Sequence, residues 1–138
     1  MRTLVFSYTR LSGHFVPIIP VTLVGRGTPF KTEAYVDSGA FCSIFHSEIL
    51  AALELPMGQG RLRMLKAADG NFIRAYSFLL SVQIDDIKIR APVAFSDKLT
   101  VGFNLLGRQA IFSSFDEVAF REREKRVIFR APRLIPKS

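Results

Sequence analysis

Apolar and polar residues alternate along most of the chain with a period of two. That period is typical of β-strands, in which successive side chains point to opposite faces of the sheet. Two such runs, Phe15 to Val24 and Phe30 to Val36, flank the turn-rich segment Gly25 to Pro29 and predict two neighbouring strands. Two prolines within the first run argue against a helix there and favour an edge strand.

The second half of the chain predicts further hairpins. Asp69 and Gly70 lie between the extended runs Arg61 to Ala67 and Asn71 to Ile84. Asp-Gly in that context predicts a type I′ turn, which needs a positive φ at both central residues. The same reasoning predicts a hairpin at Asp85-Asp86, short strands over Phe41 to Phe45 and Ala91 to Phe95, and a final hairpin that joins Val118 to Phe120 with Val127 to Phe129.

Two segments depart from the strand pattern and predict short helices. Ser47 to Leu55 has helical spacing, with Ser47 or His46 as the expected cap and Pro56 just beyond the end. Gln109 to Phe115 predicts one or two helical turns. The pattern therefore predicts a mainly β fold with two short helices.

Length and composition are those of a single folded domain. With 138 residues, half of them hydrophobic, the chain can bury a substantial core, and no internal linker divides it, so residues 1–138 form one predicted domain. The single cysteine, Cys42, cannot form an internal disulfide, which favours a reducing compartment. The longest apolar run is shorter than the roughly twenty residues of a membrane span. Met1 to Gly13 has no apolar core of signal-peptide length, so we expect a soluble, cytoplasmic protein with no membrane span.

The net charge of +7 raises the question of a nucleic-acid partner. Positive charge clusters at Arg61 to Lys66 and at Arg121 to Arg126. Glutamates half neutralise the second cluster, which has the composition of an exposed hairpin turn. The charge is otherwise scattered, so a solvated surface is favoured and no nucleic-acid partner is expected.

The candidate chemistry lies in two short motifs. Tyr35-Val36-Asp37-Ser38-Gly39-Ala40 places an aspartate on a tight turn at the end of an apolar strand. Asn104-Leu105-Leu106-Gly107-Arg108 is a second apolar element that leads into a turn. An aspartate at a strand end is most often a turn residue that hydrogen-bonds its own backbone, so Asp-Ser-Gly alone carries little weight.

Together, the two motifs and their order along the chain resemble the retropepsin-like aspartic proteases. A strand, Asp-Ser-Gly-Ala, a short helix, a long hairpin region and an apolar-apolar-Gly-Arg element before a second helix extend over about residues 15–130. The resemblance is to cellular and microbial members. It implies a mainly β, half-barrel acid-protease fold with one lobe per chain.

The resemblance also implies an activity that needs two carboxylates facing one water. Two carboxylates about 3 Å apart cannot both ionise comfortably, so they share a proton. The chain has one Asp-Ser-Gly, and the second aspartate must therefore come from a second copy, in a two-fold homodimer. The implied function is an aspartic endopeptidase that takes a peptide or protein substrate and needs no cofactor.

The family pattern assigns a role to each matching position. Asp37 is implied to be the catalytic acid, Ser38 to bond across the two-fold axis, and Gly39 to let the substrate backbone approach. The implied substrate-binding residues are Ala40 and a flap formed by Ala67, Ala68, Asp69 and Gly70. The implied support for the active-site loop comes from Leu105, Leu106, Gly107 and Arg108.

The chain departs from the retroviral pattern in two ways. The retroviral arginine of the Gly-Arg element pairs with an acidic residue two positions after the triplet, and here that position is Phe41. Arg108 is therefore left with no predicted partner. The chain also continues into a hairpin and a basic tail, Arg130 to Ser138, so the dimer interface cannot be copied from viral members.

Other residues allow alternative chemistries. Cys42 and His46 allow a thiol nucleophile, but Cys42 lies in an apolar run where it is expected to be a core residue. His14 and His46 lack metal-ligand spacing, so no metal site is predicted. Asp85 and Asp86 are not expected to act as a carboxylate pair, because the side chains of neighbouring strand residues point to opposite faces. We expect both to be solvated in a turn. Two further alternatives remain: a catalytically silent dimer of the same fold that binds peptides or acts as a scaffold, and a basic β-barrel that binds nucleic acid.

Overall fold

The computed structural model of the chain describes residues 2–67, 69–99 and 102–132. Within these ranges the chain is mainly β, as predicted. The twelve strands are β1 (Arg2–Ser7), β2 (Thr9–Leu11), β3 (His14–Val16), β4 (Ile18–Val24), β5 (Phe30–Val36), β6 (Ser43–His46), β7 (Arg61–Lys66), β8 (Phe72–Ile84), β9 (Ile87–Ser96), β10 (Asn104–Leu106), β11 (Glu117–Arg121) and β12 (Arg126–Ala131). The α-helix α1 (Ile49–Ala52) and two 3₁₀ turns, Met57–Gln59 and Phe112–Ser114, complete the described elements.

Seven strands form one sheet in the order β4-β5-β10-β6-β9-β8-β7. Strand β4 pairs with β8 as well as with β5, so the sheet curls back on itself as a barrel. The alternating apolar positions of these strands point inward and form the core, which excludes water from its centre. Among the fully buried core side chains are Leu23, Phe45, Leu80, Val82, Phe95 and Leu106.

The short strand β10 lies in the middle of this sheet and holds two distant strands together. It runs parallel to β5 and antiparallel to β6. Its first residue, Asn104, is buried, and its side-chain amide bridges both neighbours. The Asn104 Nδ2 group donates to the Glu33 carbonyl at 2.9 Å, and its Oδ1 accepts from the His46 N–H at 2.9 Å. Because the buried Asn104 side chain bonds to both strands, it fixes the spacing between β5 and β6.

Residues 2–11, for which no strand was predicted, form part of the fold. Strand β1 pairs with β12 in a three-stranded sheet of order β1-β12-β11, and β2 and β3 form a small hairpin. Tyr8 joins this sheet to the final turn, since its N–H donates to the Lys125 carbonyl and its hydroxyl donates to Glu122. Burial, followed by the hydrogen bond to Glu122, raises the pKa of Tyr8 to about 12, so the hydroxyl keeps its proton to a higher pH than that of an ordinary tyrosine.

The helix predicted over Ser47 to Leu55 is shorter than expected, and its cap was predicted wrongly. The Ser47 N–H donates to the Ser96 carbonyl and so extends the pairing of β6 with β9, which keeps Ser47 outside the helix. Glu48 precedes α1 and makes no side-chain cap. Glu54 adopts a left-handed φ of 55° and ends the helical run before Pro56. The second predicted helix, Gln109 to Phe115, contains the 3₁₀ turn Phe112–Ser114.

The hairpin between β7 and β8 forms as predicted, but its turn type differs. The Ala67 N–H donates to the Asn71 carbonyl and the Gly70 N–H donates to the Ala67 carbonyl, which makes a three-residue loop instead of a type I′ turn. Gly70 has a φ of +88°, a conformation that glycine adopts without steric cost. The Asp69 carboxylate accepts from the Asn71 N–H at 2.9 Å and stabilises this loop. Ala68 lies outside the described residues.

The other hairpins agree with the sequence pattern, apart from strand limits. Asp85, with a φ of 55°, and Asp86 form the two-residue turn between β8 and β9, and β11 with β12 forms the final hairpin. The strand predicted over Phe41 to Phe45 begins only at Ser43, because the preceding residues belong to the loop after Asp37. The first predicted strand is divided at Pro17, which leaves β3 and β4 as separate elements.

Replacing Asn104 with alanine tests its bridging role. Because the change leaves the His46 N–H and the Glu33 carbonyl without their buried partner, we expect the free energy of unfolding to fall by about 2 kcal/mol in a urea titration. Asn71→Ala is the matched control, since it removes an exposed loop amide and is expected to cost less than about 0.5 kcal/mol. Equal losses for the two variants would contradict the bridging role.

Candidate active site

Asp37 lies at the end of β5, directly beside β10. Its N–H donates to the Leu106 carbonyl at 3.0 Å, which ties the start of the turn to the central strand. Its Oδ1 atom accepts from the Gly39 N–H at 2.8 Å, and its carbonyl accepts from the Ala40 N–H at 3.2 Å. The half-buried carboxylate is therefore fixed by the backbone of its own turn. Ser38 and Gly39 are exposed beside it.

The segment Gly107 to Gln109 is hydrogen-bonded to the loop after Asp37 and to the start of β6. The Arg108 N–H donates to the Ala40 carbonyl at 2.9 Å, and the Gln109 N–H donates to the Phe41 carbonyl at 2.8 Å. The Gly107 N–H donates to the Ser43 hydroxyl at 2.9 Å in a buried bond. These three bonds join the two motifs that carry the candidate chemistry.

The apolar residues before Gly107 support the same loop. Leu106 is fully buried and lies opposite Val36 in the parallel pair of β10 and β5. Leu105 lies opposite Tyr35 on one side and Ile44 on the other. Leu105 and Leu106 therefore lie beside the end of β5, from which the loop after Asp37 begins.

Gly107 is required by a close backbone approach. A Cβ atom at this position would lie 2.5 Å from the Cys42 carbonyl oxygen, 2.6 Å from its carbonyl carbon and 2.9 Å from the Phe41 carbonyl oxygen. Backbone atoms cannot move aside as the end of a flexible side chain can. Any larger residue would therefore push the loop after Asp37 away from β10.

Arg108, which was left with no predicted partner, has an aromatic one. The centre of its guanidinium group lies 5.8 Å from the centroid of the Phe41 ring. A cation above an aromatic face is attracted by the ring quadrupole. Phe41 is 55% exposed, so this contact lies at the surface beside the loop.

A cleft of about 760 Å³ opens in front of Asp37. Its volume is in the range of sites that take a small molecule or a few residues of peptide. One wall comes from the strands below, where the rings of Tyr35 and Phe103 stack with their centroids 5.0 Å apart. The opposite wall comes from the β7–β8 hairpin. The hairpin residues that line the cleft are Leu65, Lys66, Ala67 and Ile73.

The predicted substrate-binding residues fall in two places. Gly39, Ala40 and Ala67 line the cleft of Asp37. Asp69 instead lines a neighbouring depression of about 730 Å³ on the hairpin, and Gly70 is exposed at the turn. Of the predicted hairpin residues, Ala67 therefore lines the cleft of Asp37, whereas Asp69 and Gly70 in the turn do not.

Several residues that line the cleft were not predicted from the sequence. Lys98, Leu99 and Phe103 follow β9 and are brought to the cleft by the pairing of β9 with β6. This pairing is long-range and leaves no local signal. Cys42, which was expected in a buried strand, is half-buried in the loop before β6 and lines the cleft. His46 lies at the far end of β6, and no hydrogen bond joins the two within the described part of the chain.

The charges around the cleft set what chemistry it can perform. Among the described residues that line it, Asp37 is the one carboxylate, and Lys66 and Lys98 are the two cations.

Within residues 2–67, 69–99 and 102–132, no group of three or more His, Cys, Asp or Glu side chains is arranged to hold a metal ion. In those same ranges no helix is long and apolar enough to span a membrane. The described residues of one chain therefore place one carboxylate, that of Asp37, in a largely apolar cleft.

Comparison with known proteins identifies the fold. No family model and no curated protein matches this sequence. Among solved structures, the chain is similar to a retropepsin-like aspartic protease from Rickettsia conorii, with a TM-score of 0.66 and 19% sequence identity. The match covers 94% of this chain and 91% of that one. The chain therefore has the retropepsin-like aspartic protease fold, as the two motifs predicted.

Gly107→Ala tests the close approach beneath the active-site loop. Because the added methyl group meets backbone atoms, we expect the free energy of unfolding to fall by about 1–3 kcal/mol, measured by chemical denaturation. Gly58→Ala is the matched control. A methyl group at Gly58 would meet no atom within 4 Å, and Gly58 has no left-handed φ, so this variant should be as stable as the wild type. A Gly107→Ala protein of unchanged stability would show that the approach is not tight.

Proposed function

We propose that this protein is an aspartic endopeptidase that acts as a homodimer. The observation that carries the proposal is the single carboxylate of Asp37, held by its own turn and by β10 at the base of an apolar cleft. Water activation between two carboxylates needs a second aspartate. Because no other carboxylate among the described residues lines the cleft, that aspartate comes from the partner's Asp37, across a two-fold axis.

In the proposed reaction, the two Asp37 carboxyl groups share one proton and one water between them. The ionised carboxylate accepts a proton from the water, which attacks the carbonyl carbon of the scissile peptide bond. The protonated carboxyl donates a hydrogen bond to the carbonyl oxygen as it gains negative charge. The tetrahedral intermediate then breaks down with proton transfer to the leaving amine, and no covalent acyl-enzyme forms. Ser38, exposed beside Asp37, is proposed to bond across the axis and hold the two turns together.

The β7–β8 hairpin is proposed to act as a flap over the bound peptide. Leu65, Ala67 and Ile73 already face the cleft, and closure would exclude water from the reacting groups. Asp69 and Gly70 form the turn at its tip and are proposed to contact the substrate only in the closed form. The single cysteine suits a reducing compartment, and we propose a cytoplasmic location.

A catalytically silent peptide-binding dimer is the second candidate. The replacement of the family's acidic residue by Phe41, which packs against Arg108, favours it, because the loop beside Asp37 differs from that of active viral members. The cleft would bind peptides in either case. The two candidates differ in one respect only, which is whether the bound peptide is hydrolysed.

Hydrolysis by the wild type separates these two candidates, and Asp37→Asn then tests the proposed mechanism. Asparagine has the same shape but cannot accept a proton from water, so we expect the rate of peptide hydrolysis to fall about a hundred- to ten-thousandfold, with the fold unchanged by circular dichroism. Asp116→Asn, a neutralised exposed aspartate before β11, is the matched control and should keep the wild-type rate. Hydrolysis by Asp37→Asn at the wild-type rate would exclude the proposed mechanism.

The pH dependence of hydrolysis tests the shared proton. The active dyad carries one proton, so kcat/KM should follow a bell-shaped profile on the acidic side of neutrality, with both limbs belonging to the pair. A statine-type inhibitor, whose hydroxyl replaces the attacking water, should bind most tightly at the maximum. A rate that rises steadily through neutral pH would instead indicate a different catalytic group that acts in its deprotonated form, such as a cysteine thiolate nucleophile.

Sedimentation tests the assembly. An obligate two-fold interface should bury on the order of 2,000 Å² or more in total, so we expect a dimer at micromolar concentration. Activity should fall more steeply than protein concentration on dilution, because each active site needs two chains. A monomer at high micromolar concentration that still hydrolyses peptides would contradict the shared site.

A further inference from the structure

Two lysines flank the cleft in front of Asp37. Lys66 is the last residue of β7, on the hairpin wall, and Lys98 follows β9 on the adjoining wall. Both side chains are exposed. Within the described part of the chain, neither forms an ion pair, although four other pairs are present there. The cleft therefore presents positive charge that no carboxylate among the described residues neutralises by contact.

The backbone of each lysine is held in place. The hydroxyl of buried Ser96 donates to the Arg74 carbonyl at 2.9 Å and accepts from the Lys98 N–H at 3.0 Å. Ser96 thus ties the segment that carries Lys98 to strand β8. Lys66 lies opposite Phe72 in the ladder between β7 and β8. Both lysines are therefore presented at defined positions, although their side chains extend into solvent.

Apart from Asp37, the carboxylates near the cleft lie outside its lining. Asp69 and Asp97 line the neighbouring depression, together with Arg74 and with Lys98, which lines both hollows. The rest of the cleft lining is mainly apolar, with the aromatic rings of Tyr35, Phe41 and Phe103 as its largest members. A ligand that fills the cleft must therefore present apolar surface to these side chains. A negatively charged group on that ligand would be complementary to Lys66 and Lys98 at the edge of the cleft.

We propose that the cleft selects peptides in which an acidic side chain lies near a large apolar one, with Lys66 and Lys98 as the specificity-determining residues. This proposal rests on the proposed function, since it names the substrate class of the same site. The apolar side chain enters the cleft, and the carboxylate meets one of the two ammonium groups at the rim. In a two-fold dimer each half supplies both lysines, so acidic residues are favoured on both sides of the scissile bond.

A positional library of fluorogenic octapeptides tests the proposal. Each peptide carries Phe at its fourth position. One other position at a time carries either Glu or Gln, which has a similar shape but no charge. We expect kcat/KM to be roughly two- to fivefold higher with Glu at one or more positions on each side of the cleaved bond, the range of an exposed ion pair. The ratio should shrink as ionic strength rises, because salt screens exposed charges.

Three charge-neutralised variants identify the source of the preference. In Lys66→Gln or Lys98→Gln the Glu-to-Gln ratio should approach one at the position that each lysine contacts. Lys88→Gln is the matched control, since Lys88 is exposed near the opposite end of β9 and its loss changes the net charge equally. The proposal would be overturned if the wild type hydrolysed Glu and Gln peptides with equal kcat/KM. It would also be overturned if all three variants kept the wild-type ratio of kcat/KM for Glu over Gln peptides. Either result would leave the endopeptidase activity in place.

Failure of the proposed function gives a different result. If the wild type hydrolyses no member of the library, the endopeptidase proposal fails, and fluorescein-labelled Glu and Gln peptides then report binding by fluorescence anisotropy. Tighter binding of the Glu peptides, reduced in Lys66→Gln or Lys98→Gln but not in Lys88→Gln, would support the selectivity at a non-catalytic site. Equal binding of both peptides, or no binding, would overturn it.

Discussion

The backbone contact between the segment that begins at Gly107 and the loop after Asp37 is the constraint on which the candidate site depends. Hydrogen bonds from Arg108 and Gln109 reach the carbonyls of that loop, and only a residue without a Cβ allows the two segments to come so close. Asp37 also donates its N–H to β10. The carboxylate is therefore oriented by main-chain atoms, which lose little entropy on binding a substrate and resist displacement.

Under the proposed function, this arrangement supplies half of an active site from each chain. Among the described residues that line the cleft, the barrel presents one carboxylate, that of Asp37, and the Ser38-Gly39 turn beside it is exposed. The surroundings of the turn depart from the viral pattern, because an aromatic ring, Phe41, meets Arg108 where an ion pair is expected. Two lysines at the rim give the entrance of the cleft a positive charge.

Local patterns in the sequence predicted much of this structure, and long-range contacts account for what they missed. The hairpins were found because alternation and turn residues are local signals. The helix at Ser47 was overestimated because a bond to Ser96, far along the chain, keeps the residue in the sheet. Asp37 and Gly107 were found through a motif, whereas Lys98 enters the cleft only through strand pairing. Strand β1 went unassigned because its partner β12 lies at the other end of the chain.

A crystal structure of the protein with a statine-type inhibitor would test the shared active site most directly. We expect a two-fold dimer in which the two Asp37 carboxyl groups lie about 3 Å apart, both within hydrogen-bond distance of the inhibitor hydroxyl. The β7–β8 hairpin of each chain should cover the inhibitor. Two copies whose Asp37 side chains face solvent far from each other, with the inhibitor bound elsewhere, would contradict a dyad shared between two chains.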